Sequence, residues 1–213
     1  MMTKDFFKDR PLSWSGLSSF EYSPEQWYRK YILGEKDPES KEMMFGKHFA
    51  RAIELYKEQH PKAIKFDITV KGQTVEVNTF SKVEQPFKIL FGGDIPLIGF
   101  ADSFCDKTKK KFREFKTGKA EWTQKRADEH GQILMYMLMN YVTNQVRPED
   151  TTFYLDWYPT EETGDFAIGF KTTKPKTFRV KYTTLDILQF GARINKTVNQ
   201  MIEYANQKEN KIT

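Results

Sequence analysis

Read from the N-terminus, apolar side chains first recur at a helical interval in Leu17 and Phe20, and Ser13 or Ser15 can cap the short helix that carries them. Pro24 suits the first position of a second helix, with Trp27, Tyr28, Tyr31 and Ile32 on its apolar side and Gly34 as its stop. Asp37-Pro38-Glu39-Ser40 reads as a turn. A longer helix is predicted from about Lys41 to Gln59, where Met44, Phe45, Phe49, Ala52, Ile53 and Tyr56 form a stripe and His60-Pro61 ends it. The period then changes to alternation. Phe66 to Val70 and Val75 to Val77 alternate on either side of a Lys71-Gly72 turn, Phe87 to Leu90 is a short strand, and Gly92-Gly93-Asp94 is a loop. Leu97 to Cys105 and Lys111 to Lys116 predict a hairpin around a lysine-rich tip. A helix follows from about Thr123 to Val142, then strands over Thr152 to Tyr158, Phe166 to Phe170 and Thr177 to Tyr182. A last helix runs from Thr184 to about Gln207 with Leu185, Leu188, Ile194, Val198, Met201 and Ile202 as its apolar residues. Helices, a block of strands, a helix, more strands and a helix make a mixed α/β chain with a largely antiparallel start, not a regular βαβ repeat.

Composition narrows the class. With 38% hydrophobic and 15% aromatic residues in 213, the chain can supply a substantial core, which argues against intrinsic disorder. A single cysteine, Cys105, excludes an intrachain disulfide framework and any cluster held by several thiolates. No stretch approaches the roughly 20 apolar residues of a membrane span. The opening Met1-Met2-Thr3-Lys4-Asp5-Phe6 lacks a long apolar core and carries an early acid, so a secretory leader is not expected and a soluble, cytoplasmic protein is. The net charge of +5 fits a polyanionic partner, although a charge of this size is common on soluble proteins. Its densest run is Lys107, Lys109, Lys110, Lys111, Arg113, Lys116 and Lys119, for which a solvated hairpin turn is sufficient explanation on charge alone.

The hairpin carries the chemistry. If its turn centres on Thr108, Asp102 lies opposite Glu114, Phe104 opposite Phe112 and Phe100 opposite Lys116. Asp102, Glu114 and Lys116 then share one face of the sheet. Like charges directly opposed are destabilising, so two carboxylates between phenylalanines need a counter-charge. Lys116 supplies one, and a divalent cation such as Mg²⁺ or Mn²⁺ would supply a stronger one. For a Glu-x-Lys tripeptide taken alone, a surface salt bridge is the better explanation, because the tripeptide is frequent. A one-residue slip would send Asp102 to the other face. On the next helix Gln132 and Tyr136 are four apart and share a face, where they can reach the lysine, a phosphate or a base. Tyr136 also sits in an apolar run, Ile133 to Met139, and reads equally as core, whereas Gln132 is harder to explain that way.

Together these residues resemble the PD-(D/E)xK nuclease superfamily, and within it the RecB-type exonuclease group. Gly99-Phe100-Ala101-Asp102 matches the group's acid after a strand glycine, and Glu114-Phe115-Lys116-Thr117-Gly118-Lys119 matches its Glu-x-Lys followed by Thr-Gly. Gln132 and Tyr136 match its Gln-x-x-x-Tyr, and Leu12 to Phe20 with Pro24 to Ile32 resemble its opening helical segment. The resemblance spans roughly Ser13 to Tyr158. It implies a restriction-endonuclease-like core: a central mixed sheet flanked by helices, after an N-terminal helical segment. Within one nuclease domain over 1–213, residues 13–60 would be the N-terminal helices, 64–158 the catalytic core and 159–213 a C-terminal hairpin and helix. It also implies a metal-dependent deoxyribonuclease acting from DNA ends in recombination, repair or end processing, as in phage. Asp102 and Glu114 would be metal ligands with the backbone carbonyl of Phe115 as a third, Lys116 the catalytic lysine, and Gln132 and Tyr136 the DNA side of the site. Lys109, Lys110, Lys111 and Lys119 would hold phosphates, and exposed aromatics such as Trp122 or Trp14 would stack on bases, with core packing the expectation for Trp14.

Two departures stand out. The group often carries a histidine ligand in a Gly-x-x-x-His-x-x-x-Glu run; here Gly46 and Glu54 match, but the histidine position is Ala50. His48 is two residues early, about 200° around a helix from Ala50. It could serve as a ligand only if the helix is turned there, and otherwise reads as a solvated histidine. Glu54 is the better candidate from this helix, as a direct or water-mediated ligand. Second, Ser23-Pro24 stands where iron–sulfur relatives have Cys-Pro, and Cys105 alone cannot hold a cluster. His130 reads as a helix-start residue without chemistry. Two further readings remain open: a DNA-binding module with a nuclease fold that has lost activity, and a nuclease whose last helix docks a recombination or replication protein in a larger assembly. For that helix, a place in the domain's own core is the simpler expectation.

Overall fold

The computed structural model describes residues 2–164 and 167–210. A one-turn helix not foreseen from the sequence, α1 (Phe6–Asp9), precedes α2 (Trp14–Tyr22), whose N-cap Ser13 accepts from the Gly16 N–H at 3.2 Å. α3 (Pro24–Trp27) is capped by Ser23 and runs into a π-helical turn, Tyr28–Ile32, closed by the Leu33 N–H on the Tyr28 carbonyl. α4 spans Lys41–Gln59 between a Ser40 cap and His60-Pro61. Its buried side, Phe45, Phe49 and Ile53, covers β1 (Lys65–Val70) and β2 (Gln73–Asn78). These two strands form a small antiparallel sheet of their own, turning at Lys71 and Gly72, both left-handed.

The main sheet holds β3 (Lys82–Phe91), β4 (Ile95–Phe104), β5 (Lys111–Gly118), β6 (Thr152–Thr163), β7 (Ala167–Phe170) and β8 (Lys176–Val180). Its path is β3-β4-β5-β6-β7, with β8 also on β6. The mixed, helix-flanked sheet is therefore as expected. β5 and β6 are parallel, and all other pairs are antiparallel. A parallel pair requires a long crossover, and α5 (Gln124–Asp128) and α6 (Gly131–Asn144) provide it. The long strand β6 pairs β8 through Phe153 to Trp157 and β7 through Thr160 to Thr163, so it borders both apolar clusters. The last helix, α7 (Thr184–Glu209), starts in a capping box formed by Thr183 and Asp186. It buries Ile187, Phe190, Ile194, Val198, Met201 and Ala205 in the larger core, leaving Leu185 and Leu188 exposed.

Three expectations are revised. The helix expected over Thr123 to Val142 is two helices, because Glu129 and His130 leave helical geometry. The second helix begins at Gly131, against which the Trp14 ring lies so closely that an added Cβ would come within 2.2 Å of it. The strand expected at Phe87 begins five residues earlier, at Lys82, ahead of Pro86. The strand expected from Thr152 to Tyr158 continues to Thr163, and Phe166, the predicted start of the next, lies outside the described residues.

Candidate active site

The β4–β5 hairpin has the register read from the sequence, Ser103 opposite Arg113 and Phe104 opposite Phe112. The ladder stops there. Beyond it the strands part, and the Phe115 N–H donates to Asp102 Oδ2 at 2.6 Å instead of to a backbone carbonyl. The carboxylate thus takes the place of a rung and sits in the gap between strands. Glu114, 2% exposed, and Lys116 follow on β5, with Lys116 Nζ donating to Glu114 Oε1 at 2.8 Å.

The crossover lays α6 along this gap. Lys116 Nζ also donates to Gln132 Oε1 at 2.8 Å, Gln132 Nε2 to Tyr136 Oη at 2.8 Å, and Tyr136 Oη to the Phe100 carbonyl at 2.5 Å. An ammonium has only donors, so the glutamine must turn its oxygen to Lys116 and its NH₂ to Tyr136, which leaves the phenol to donate to β4. Gly99 makes room for this line, since an added Cβ would stand 2.8 Å from Tyr136 Cε1. Tyr136 is thus buried in the core and reaches the lysine through Gln132, which is half-buried and bonded to it directly.

The electrostatics are unbalanced. Burial pushes the Asp102 carboxyl well above its ordinary value, the Glu114 charge pushes it further, and Lys116 and the Phe115 N–H only partly oppose this. Burial also raises Glu114 against the pull of Lys116 and Gln132. Burial by itself would lower the Lys116 ammonium, but Glu114 and Asp102 outweigh it and hold it above its usual value, so it stays charged. One cation thus serves two carboxylates, and Glu114 Oε2 is buried without a hydrogen-bond partner. An orphaned carboxylate oxygen beside a second acid is a donor set suited to a hard divalent cation. Among the described residues, no three His, Cys, Asp or Glu side chains converge closely enough to hold a metal ion by themselves. A cation here would therefore rely on two carboxylates plus backbone and water oxygens, as Mg²⁺ commonly does.

The sequence reading passed over Glu84. It interrupts the β3–β4 ladder between Val83 and Gln85, in a left-handed conformation at φ 47°. Burial and the charges of Glu54 and Glu114 push its carboxyl up to about 7. Glu84 and Glu54 line a cleft of about 600 Å³ with Lys57, Glu58, Lys82 and Phe100. A left-handed residue at a strand kink has no single-sequence signature when it is not glycine.

The remaining candidates are distributed differently. Glu54 is half-buried and paired with Arg51 at 2.6 Å. His48 is exposed on α4, with no hydrogen-bond or ion-pair partner among the described residues, and is not brought to the carboxylates. The reason is rotational: Phe45 and Phe49 face the core, and no irregularity of α4 turns His48 toward the position of Ala50. Lys109 and Lys110 lie at the hairpin tip, beside Asp106 and, at 3.9 Å, Asp150; Lys111 is exposed there, and Lys119 pairs with Glu42 and Glu162. Arg113 turns inward to the buried Asp156 and stacks on Phe80 and Tyr154. Trp122, expected as an exposed stacking residue, is 6% exposed, packed beside His130 under the Arg126 guanidinium. His130 is the N-cap of α6, and burial and nearby Lys116 and Arg126 lower it to about 3, so it is neutral. Trp14 packs against the larger core.

The fold is similar to that of a solved candidate exonuclease. A candidate exonuclease from Eubacterium rectale superposes with a TM-score of 0.56 at 12% identity, over 97% of this chain and 87% of that one. An alkaline exonuclease from Laribacter hongkongensis gives 0.49 at 10% identity, over 99% of this chain and 100% of that one. A phage-related exonuclease from Haemophilus somnus gives 0.49 at 11% identity, over 91% and 83%. No protein-family model matches the chain, and no curated protein matches it by sequence. No described helix is long and apolar enough to cross a membrane.

Proposed function

We propose that this chain is a Mg²⁺- or Mn²⁺-dependent deoxyribonuclease of the RecB-type PD-(D/E)xK group that hydrolyses phosphodiester bonds from DNA ends. The observation that carries the reading is the line from Glu114 through Lys116, Gln132 and Tyr136 to the Phe100 carbonyl, beside an Asp102 pinned by the Phe115 N–H. It bonds four motif positions in one line, with Asp102 attached to the backbone of Phe115 beside it, and a salt bridge between Glu114 and Lys116 would need neither Gln132 nor Tyr136.

Asp102, Glu114 and the Phe115 carbonyl would hold the cation, with Glu54 acting through water. When bound, a divalent ion lowers the pKa of water and offsets charge on a phosphate. The chain's own residues do the rest. Lys116, held charged and aimed by Gln132, can donate to an attacking water or to a phosphate oxygen that gains charge. Tyr136 keeps Gln132 from rotating, and with it Lys116. Lys109, Lys110, Lys111 and Lys119 would hold phosphates once DNA competes for their acidic partners. Such an enzyme would work in the cytoplasm in recombination, repair or end processing, alone or with a recombination or replication protein.

The test is end-labelled single- and double-stranded linear DNA beside a closed circle, with Mg²⁺ or Mn²⁺, using wild type, Glu114→Gln and Lys116→Ala. Metal-dependent loss of linear DNA that spares the circle and vanishes in both variants is expected. Cutting of the circle would make the protein an endonuclease. A second reading, a DNA-binding module without catalysis, is favoured by the exposure of His48 and by alanine at the family's histidine position. Salt-sensitive DNA binding with no cleavage by either metal would establish it.

A further inference from the structure

Phe100 is 49% exposed, an unusual place for a large aromatic two residues from the half-buried carboxylate of Asp102. It shares a strand face with Asp102. β5 has already parted from β4 at this level, and the β3 residue opposite is Pro86, so neither neighbouring strand covers the ring. The backbone beneath is fixed, because Tyr136 donates to the Phe100 carbonyl at 2.5 Å. Phe100 lines two clefts. The larger, about 600 Å³, holds Glu54 and Glu84; the other, about 260 Å³, is lined by Ser13, Ser15, Gln132 and Tyr136. Phe100 belongs to both, and it makes no ring contact with another aromatic among the described residues. Its ring contributes little to the core, so its exposure points outward, to a flat apolar ligand group that reaches the carboxylates.

Resting on the nuclease reading, we propose that Phe100 is the stacking platform for an unpaired nucleobase next to the scissile phosphate, making this site selective for single-stranded or frayed ends. A nucleobase is the one part of a nucleotide with an aromatic face, and stacking on a side-chain ring tolerates any base. Ser13, Ser15 and Gln132 line the smaller cleft together with Phe100, and their hydroxyls and amide suit the adjoining sugar or phosphate. A base still paired in a duplex presents only its terminal face, so the platform engages best when the end has opened.

The experiment uses the full chain and a single-stranded oligonucleotide with 2-aminopurine at its end, Ca²⁺ replacing Mg²⁺ to hold cleavage back. Wild type should quench the fluorescence on binding. Phe100→Ala should lose the quench and bind about tenfold more weakly, and Phe100→Trp should restore both. Mn²⁺ uptake, followed by electron paramagnetic resonance, should be the same in all three, which shows that the variants are folded. Equal affinity and quench in wild type and Phe100→Ala would overturn the proposal, as would a larger loss on a blunt duplex than on the single strand. Quenching with no Mn²⁺ uptake would instead refute the metal-dependent nuclease reading and leave the platform standing.

Discussion

Replacing Asp102 by asparagine separates the demands of the site from those of the fold. The asparagine amide oxygen can still accept from the Phe115 N–H, a bond of 2.6 Å in the wild type, so the rung between β4 and β5 survives. The charge does not. Two like charges about 5–8 Å apart repel by about 2–3 kcal/mol at an effective dielectric constant of about 20. The attraction of Lys116, which the asparagine forgoes, offsets part of this, leaving a gain of about 1–2 kcal/mol. At about 2–4 °C per kcal/mol for a chain of this size, Asp102→Asn should melt about 2–8 °C higher than wild type in chelator. Saturating divalent cation reverses the order. At 100 times its dissociation constant a ligand adds about 2.7 kcal/mol, so wild type should rise by about 5–11 °C and the variant hardly at all. Differential scanning fluorimetry at fixed pH, with and without Mg²⁺ or Mn²⁺, reads both effects. A variant less stable than wild type in chelator, or one that keeps the full cation shift, would refute the claim that these two acids are held against each other for a cation.

Two other perturbations test the surroundings. Gly99→Ala places a methyl 2.8 Å from the Tyr136 ring and should cost about 1–3 kcal/mol, seen as a lower Tm together with reduced nuclease activity as the Tyr136–Phe100 bond is disturbed. Glu84 sets a pH dependence. Its carboxyl is raised from 4.5 to about 7 in the fold, so the folded state holds the proton more tightly than the unfolded chain. Its favourable contribution is therefore complete below about 4.5 and is lost as pH rises through about 7. Because Glu84 is partly solvated, screening limits the loss to about 1–2 kcal/mol. Chelated wild type should thus melt lower at pH 8 than at pH 5, with a flatter profile in Glu84→Gln. A wild-type Tm that rises over that interval would refute the assignment.

The sequence disclosed elements whose causes are local. α4 is bounded as read because Ser40 and His60-Pro61 act within one turn of its ends. The β1–β2 hairpin follows from Lys71-Gly72, and the β4–β5 register from a turn that left Phe104 facing Phe112. The i, i+4 spacing likewise placed Gln132 and Tyr136 on one face, and the structure bonds them together. What escaped reading depends on contacts between distant segments. The helix that periodicity alone would continue is divided at Glu129 and His130, next to the close approach of Trp14 to Gly131. Trp122 is covered by Arg126 and His130, although its neighbours Glu121 and Thr123 are polar. The left-handed turn at Glu84 and the bare ring of Phe100 both follow from how β3, β4 and β5 are paired, which no single segment encodes.

The lopsided pairing of β5 also orders the events of folding. Two residue pairs tie it to β4, whereas eight, from Lys111–Thr152 to Gly118–Pro159, tie it to β6. The β3–β4 hairpin closes over a short loop, but the parallel ladder must bring together segments some forty residues apart in the chain, and such non-local closure is slow. Glu114 and Lys116 therefore reach their final places only when that late ladder forms. In a stopped-flow refolding experiment, uptake of the proposed cation should lag the burial of the β3–β4 aromatics, so that a nascent chain would acquire its β3–β4 framework before its candidate site is assembled.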